Sequence, residues 1–216
     1  MTTRRALPDT DIYAILSSTH SLGRGNIEIA GQLLAAGVKI IQYREKEFPL
    51  HRRYEECLVI RDLCRQYGAC FIVNDDAHLA LAAGADGLHL GQEDLQPEAA
   101  RQIIGGEMIL GYSVTTPAEI DRAAALGGID YLGVGPVYAT ATKKDAAAPG
   151  GLALLDYAFS HSRLPVVAIG GIKLEHVAEL IQCGVLYIAM VSELVGATDI
   201  RQRVADVRDA IAAADA

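Results

Sequence analysis

The sequence predicts an α/β fold, a (β/α)8 TIM barrel, and three observations carry that prediction. Four stretches share one design, a helical pattern, then a glycine, then a strand pattern: QLLAAGVKIIQYR, LALAAGADGLHLG, AAALGGIDYLGVG and LIQCGVLYIAMVS. Their pivotal glycines, Gly37, Gly84, Gly127 and Gly184, lie roughly 40 to 60 residues apart, the length of two strand-plus-helix units. With the intervening segments filled in, eight strand patterns alternate with eight helical ones over 216 residues, the count of a closed barrel. Runs such as Phe71-Ile72-Val73 and Val166-Val167-Ala168-Ile169 are apolar without alternation, as parallel strands covered on both faces require. A doubly wound open sheet is the competing arrangement, and residues 1–216 read as one barrel domain.

Taken in order, a strand near 12–16 precedes a helix near 26–36, which stops at Gly37 because the residue after a helix often needs positive φ. The strand near 38–43 leads to a long helix near 50–67. The apolar strand near 70–74 ends in Asn74-Asp75-Asp76, and an acid there suits the N-cap of a helix near 76–83 that stops at Gly84. Strands near 86–90, 109–113 and 130–134 then alternate with helices near 96–104 and 117–126. A loop of about 16 residues, Gly135 to Gly150, follows the sixth strand and is too long for a plain connection. Helices near 152–161, 174–182 and 198–213 and strands near 165–169 and 186–190 complete the pattern.

Composition narrows the function. The net charge is −8 with acids and bases interspersed, which argues against a nucleic-acid partner or an anionic membrane surface. An anionic small molecule stays compatible, because clustered bases outvote the global balance within about 10 Å. Cys57, Cys64, Cys70 and Cys183 show no C-x-x-C spacing and read as buried thiols of a reducing cytosol. No apolar h-region follows the basic N-terminus and nowhere do about 18 apolar residues run together, so a soluble cytoplasmic protein is expected. The oligomeric state is not written in the sequence, and a homo-oligomer stays open.

In such a barrel, chemistry sits at the C-terminal ends of the strands. The residues there are Gln42-Tyr43-Arg44-Glu45-Lys46, Asn74-Asp75-Asp76, Gly91-Gln92-Glu93-Asp94, Gly111-Tyr112-Ser113, the long loop, Gly170-Gly171 and Val191-Ser192. Adjacent strands lie about 4.8 Å apart, so Asp75 and Asp94 can face one ion. Two carboxylates completed by water and phosphate oxygens suit Mg²⁺; the competing reading makes these acids helix caps. Arg44, Lys46, Lys143 and Lys144 form a basic cluster able to neutralise a diphosphate, against the ordinary reading of a solvated surface. Thr140 and Thr142 offer hydroxyls beside Lys143, and the loop that carries them reads as a lid, with a disordered insertion as the competing reading. Gly170-Gly171 and Val191-Ser192 occupy the position where many barrels hold a phosphate monoester.

The residues QYREK, IVNDD, GADGLHLGQED, ILGYSVTT, DYLGVGPVYATATKKDAAAPGG, PVVAIGGI and MVS, in this order, resemble the thiamine phosphate synthase family. The resemblance implies a barrel transferase that joins 4-amino-5-hydroxymethyl-2-methylpyrimidine diphosphate to 4-methyl-5-(2-phosphoethyl)thiazole, with Mg²⁺ as cofactor and pyrophosphate as by-product. It implies that the segment Gln42, Tyr43, Arg44, Glu45, Lys46 holds the pyrimidine diphosphate, with Asn74 beside the pyrimidine and Asp75 and Asp94 as metal ligands. Ser113 and Lys143 would contact the diphosphate. Thr140, Ala141 and Thr142 would lie near the thiazole, and Gly171, Val191 and Ser192 would hold its phosphate. Arg44, Lys46, Ser113 and Lys143 are the expected catalytic residues. Tyr43, Tyr112 and Thr115 depart from the usual Leu, small aliphatic and His of the family. The missing His at Thr115 tells against a thiazole tautomerase, and the intact charged residues tell against a non-catalytic binding protein. His89, inside the fourth strand, reads as packed or hydrogen-bonded rather than catalytic.

Overall fold

The computed structural model describes residues 6–142 and 147–215. Eight parallel strands close on themselves in sequence order: β1 (Ile12–Leu16), β2 (Ile40–Tyr43), β3 (Cys70–Asn74), β4 (Gly87–Leu90), β5 (Ile109–Val114), β6 (Tyr131–Val134), β7 (Val166–Ala168) and β8 (Tyr187–Met190). Closure is made by β8 pairing with β1, with Ala189 opposite Tyr13. This is the expected TIM barrel.

The outer ring holds α1 (Asn26–Ala35), α2 (Leu50–Tyr67), α3 (Ala77–Ala83), α4 (Pro97–Ile104), α5 (Pro117–Ala125), α6 (Gly151–His161) and α7 (Val177–Gln182). Two further helices follow β8, a single turn α8 (Ser192–Val195) and the long α9 (Ile200–Ala214). The single turn lies below the length at which periodicity is visible, so only α9 is legible as a helix in the sequence. Three of the four pivotal glycines have positive φ, Gly37 at 85°, Gly84 at 66° and Gly184 at 85°. At the fourth turn the left-handed position is Gly128, at 101°, rather than Gly127. Where two glycines adjoin, sequence alone does not say which one turns the chain.

Strand parity sorts side chains into two cores. The lumen holds Tyr13, Ile15, Ile40, Ile72, Ile109, Tyr131, Val167 and Ala189. The opposite faces, including Ile41, Tyr43, Phe71, Val73, Leu110 and Tyr112, pack with Leu33, Ile60 and Leu180 from the helices. Chain ends are tied by Asp11, whose Oδ2 accepts from Arg208 Nε at 2.9 Å, and Arg208 also donates to the carbonyls of Ala36 and Gly37.

Candidate active site

The C-terminal rim opens into a cavity of about 390 Å³, the size of a small-ligand site. Parity builds one wall. Gln42 on β2, Asn74 on β3, His89 on β4 and Ser113 on β5 occupy lumen-facing positions, and all four line the cavity. Arg44 and Lys46 after β2, Asp75 after β3, and Glu93 and Asp94 after β4 join them. The ring is completed by Thr140, Thr142 and Ala147 after β6, Gly170 and Gly171 after β7, and Val191 and Ser192 after β8.

The acids divide by role. Asp75 takes φ 66°, a left-handed conformation that Asp tolerates better than most residues, while its amide donates to the His89 carbonyl at 2.8 Å. Its Oδ2 lies 3.2 Å from Lys46 Nζ. Asp94 Oδ2 accepts from the Gly91 amide at 2.7 Å. Burial, and then the hydrogen bond and charge of Asp75, push the Asp94 carboxyl up to about 6, although the Gly91 amide and Lys46 pull the other way. Two carboxylates thus share one space, an arrangement that a divalent cation relieves. Asp76 stays out of it and caps α3, accepting from the Leu79 amide at 2.9 Å. The N-cap of α4 is Gln96, so Asp94 is not spent on a helix.

A polar chain runs beneath the cavity. Gln42 Nε2 donates to the Tyr13 hydroxyl at 2.8 Å, the hydroxyls of Tyr13 and Tyr131 are 2.7 Å apart, and Tyr131 meets His89 Nδ1 at 2.8 Å. His89 Nε2 is 2.8 Å from Ser113 Oγ. Burial pushes the His89 imidazole down to about 4, against an opposing pull from Asp75, so the ring is neutral at pH 7.

A family model described as thiamine monophosphate synthase matches residues 12–194. The chain belongs to that family. The thiamine-phosphate synthase of Pelotomaculum thermopropionicum is 49% identical over 211 residues, covering 96% of both chains. That of Lawsonia intracellularis is 44% identical over 203 residues, 94% of this chain and 93% of the relative. A solved structure, the thiamine phosphate pyrophosphorylase from Pyrococcus furiosus, has a TM-score of 0.86 at 34% identity, covering 95% of this chain and 97% of that one.

Against the family expectation, three residues lie off the cavity wall. Tyr43 is expected at the substrate, but Gln42 faces the lumen and its neighbour therefore faces the helices. Its hydroxyl donates to Glu56 Oε2 at 3.0 Å, and burial with the Glu56 charge holds the phenol far above its ordinary range. Tyr112 has the same outward parity. Glu45 also turns away from the main cavity. Its Oε2 accepts from Asn26 Nδ2 at 3.1 Å and from the Ser18 amide at 3.3 Å, and its Oε1 accepts from the Glu47 amide at 3.0 Å. Burial opposes ionisation of Glu45, but these hydrogen bonds outweigh it and hold the carboxyl below its usual range. Ala141 sits between two wall residues without joining them, and Thr140 Oγ1 accepts from the Thr142 amide at 3.2 Å. Lys143 and Lys144 lie outside the described residues, as does the centre of the expected lid.

Sequence reasoning missed Tyr13 and Tyr131, which hydrogen-bond to the wall residues Gln42 and His89, and assigned His89 no part in the cavity. A signal exists: buried tyrosines seek a hydroxyl partner, and His89 shares the inward parity of Gln42, Asn74 and Ser113.

Proposed function

We propose that this chain condenses 4-amino-5-hydroxymethyl-2-methylpyrimidine diphosphate with 4-methyl-5-(2-phosphoethyl)thiazole to give thiamine monophosphate and pyrophosphate, as a cytoplasmic transferase. The observation that carries the reading is one cavity lined by Arg44, Lys46, Asp75 and Asp94 at one part of its ring and by Gly171 and Ser192 at another. That pairing suits two anionic substrates of unequal charge.

The donor set fits Mg²⁺. Asp75 and Asp94 supply hard oxygens, and among the described residues no group of three or more His, Cys, Asp or Glu forms a complete cage. Mg²⁺ commonly takes one or two carboxylates and completes its shell with water and substrate phosphate. When bound, the cation supplies positive charge to the diphosphate.

The chain's own groups do the rest. Arg44 forks onto phosphate oxygens, Lys46 adds a point charge, and Ser113 donates to the leaving group; the family resemblance adds Lys143 to this set. The C–O bond to the diphosphate breaks with its electron pair leaving on pyrophosphate. The pyrimidinylmethyl cation is then captured by the lone pair of the thiazole nitrogen, which forms the C–N bond. No proton is removed, so no general base is required. Gln42 and Asn74 orient the pyrimidine, Thr140 and Thr142 stand by the thiazole, and Gly171, Val191 and Ser192 take its phosphate. Incubating the protein with both substrates and Mg²⁺ should give thiamine monophosphate and pyrophosphate in equal amounts. Folded protein that forms neither would overturn the reading.

A further inference from the structure

The buried chain from Gln42 to Ser113 has a direction, which follows from counting hydrogens once the Gln42 amide nitrogen is the group that faces Tyr13. The Gln42 amide nitrogen donates to the Tyr13 oxygen. Tyr13 has one hydrogen of its own and one other hydroxyl partner, Tyr131, at 2.7 Å. Tyr131 therefore accepts from Tyr13 and spends its hydrogen on His89 Nδ1. A ring that accepts at Nδ1 carries its hydrogen at Nε2, which donates to Ser113 Oγ. With the Gln42 nitrogen on Tyr13, reversing the Tyr13–Tyr131 or the Tyr131–His89 link would leave a buried hydroxyl hydrogen unpaired, at a cost of about 1 to 3 kcal/mol. The Ser113 oxygen is thereby engaged as an acceptor, and its own hydrogen is left for the cavity that Ser113 lines.

The seats for these rings are built into the backbone. Gly111 and Gly133 face the lumen, and a Cβ at Gly111 would collide with the Tyr131 ring while one at Gly133 would press on His89 Cε1 at 3.0 Å. Tyr13 and Tyr131 are 1% and 0% exposed, so their hydroxyls are shut off from bulk solvent.

We infer that Tyr13, Tyr131 and His89 are positioning residues, a one-way relay that fixes the Ser113 hydroxyl as a hydrogen-bond donor into the cavity. The inference rests on the reading that the cavity takes a diphosphate, whose departing oxygens are what such a donor would serve. A relay of this kind gains from cooperativity, because each bond polarises the next in a low-dielectric interior. It also leaves the Gln42 side-chain oxygen as an acceptor, so both ends of the relay present a defined polarity to substrate.

Two measurements test it on the intact protein. Long-range ¹H–¹⁵N spectra at pH 7 should show His89 as the Nε2–H tautomer, and the Nδ1–H tautomer would overturn the relay whatever the activity. Turnover of the pyrimidine diphosphate should then be compared for wild type, Tyr131→Phe, Ser113→Ala and the double variant. Tyr131→Phe should lower kcat about tenfold, the loss of one oriented hydrogen bond, with KM within about twofold. In the Ser113→Ala background the same change should have no further effect. Penalties that multiply, or a Tyr131→Phe variant with wild-type kcat, would refute the relay. Wild-type protein that makes no thiamine monophosphate would instead refute the function, and the tautomer would still decide the relay. A Tyr131→Phe variant that does not fold leaves the decision to the wild-type spectrum.

Discussion

Lys46 Nζ stands 3.2 Å from Asp75 Oδ2, so half of the proposed metal pair already holds a cation. Asp94 is the acid whose carboxyl is pushed up to about 6, by burial and by Asp75. Removing either acid should therefore cost metal binding in the same way. Asp75→Asn and Asp94→Asn should each lower Mg²⁺-dependent pyrophosphate release by at least about 100-fold, with circular dichroism unchanged. Chelation by EDTA should silence the wild type, and excess Mg²⁺ should restore it. Unchanged turnover in either variant would sink the assignment.

Tyr43 is outward-facing, which separates it from the substrate residues on either side. Tyr43→Phe should leave kcat and both KM values within about twofold while costing roughly 1 kcal/mol of stability, the worth of its hydrogen bond to Glu56. The melting temperature should fall by about 2 to 4 °C. A large rise in KM for the pyrimidine diphosphate would return Tyr43 to the site.

Gly171 combines a φ of 66° with close backbone neighbours, since an added Cβ would come within 2.7 Å of the Tyr138 carbonyl oxygen. Gly171→Ala would have to displace the loop after β6 or its own turn. KM for the thiazole phosphate should rise roughly tenfold, equivalent to about 1.4 kcal/mol, with KM for the pyrimidine diphosphate little changed. Equal effects on both substrates would mean that the two anion sites are not separate.

Asp11 joins the start of β1 to α9 through Arg208. Burial would raise the Asp11 carboxyl, but the hydrogen bond and charge of Arg208 prevail and hold it below its ordinary value. The unfolded chain therefore binds the proton more readily, and stability rises with pH across the carboxylate range. The contribution is complete above the unfolded value and is lost as pH falls through the folded one. Urea unfolding at pH 7 should show Asp11→Asn less stable by about 1 to 3 kcal/mol, a gap that closes in acid. A gap independent of pH would show that the charge on Asp11 is not what matters.

The strands were legible because each is short and largely apolar and most follow a glycine turn, and such local signals survive without tertiary information. The left-handed turns at Gly37, Gly84 and Gly184 are of this kind. The candidate site was legible wherever a charged or amide side chain ends a strand, as Arg44, Asn74, Asp75 and Asp94 do. Tyr43 stands off the main cavity because family resemblance travels along a segment, whereas a strand alternates its faces at every residue, and Glu45 lines a second cavity shared with Lys46, Asn74 and Asp75. The relay beneath the cavity was hidden for another reason. Its members lie on β1, β2, β4, β5 and β6, and Tyr13 meets Tyr131 across 118 positions of sequence, so only barrel closure brings them together.

Tyr13 and Tyr131 belong to the packed lumen and also hydrogen-bond to Gln42 and His89, which line the cavity. The middle of this barrel is therefore one layer with two duties. Efforts to harden the enzyme against heat should leave that layer alone, since a better-filled lumen would erase the hydroxyls above which the chemistry sits. The shell between strands and helices, where Cys57, Cys64 and Val73 pack with no tie to the cavity, is where redesign has room to act.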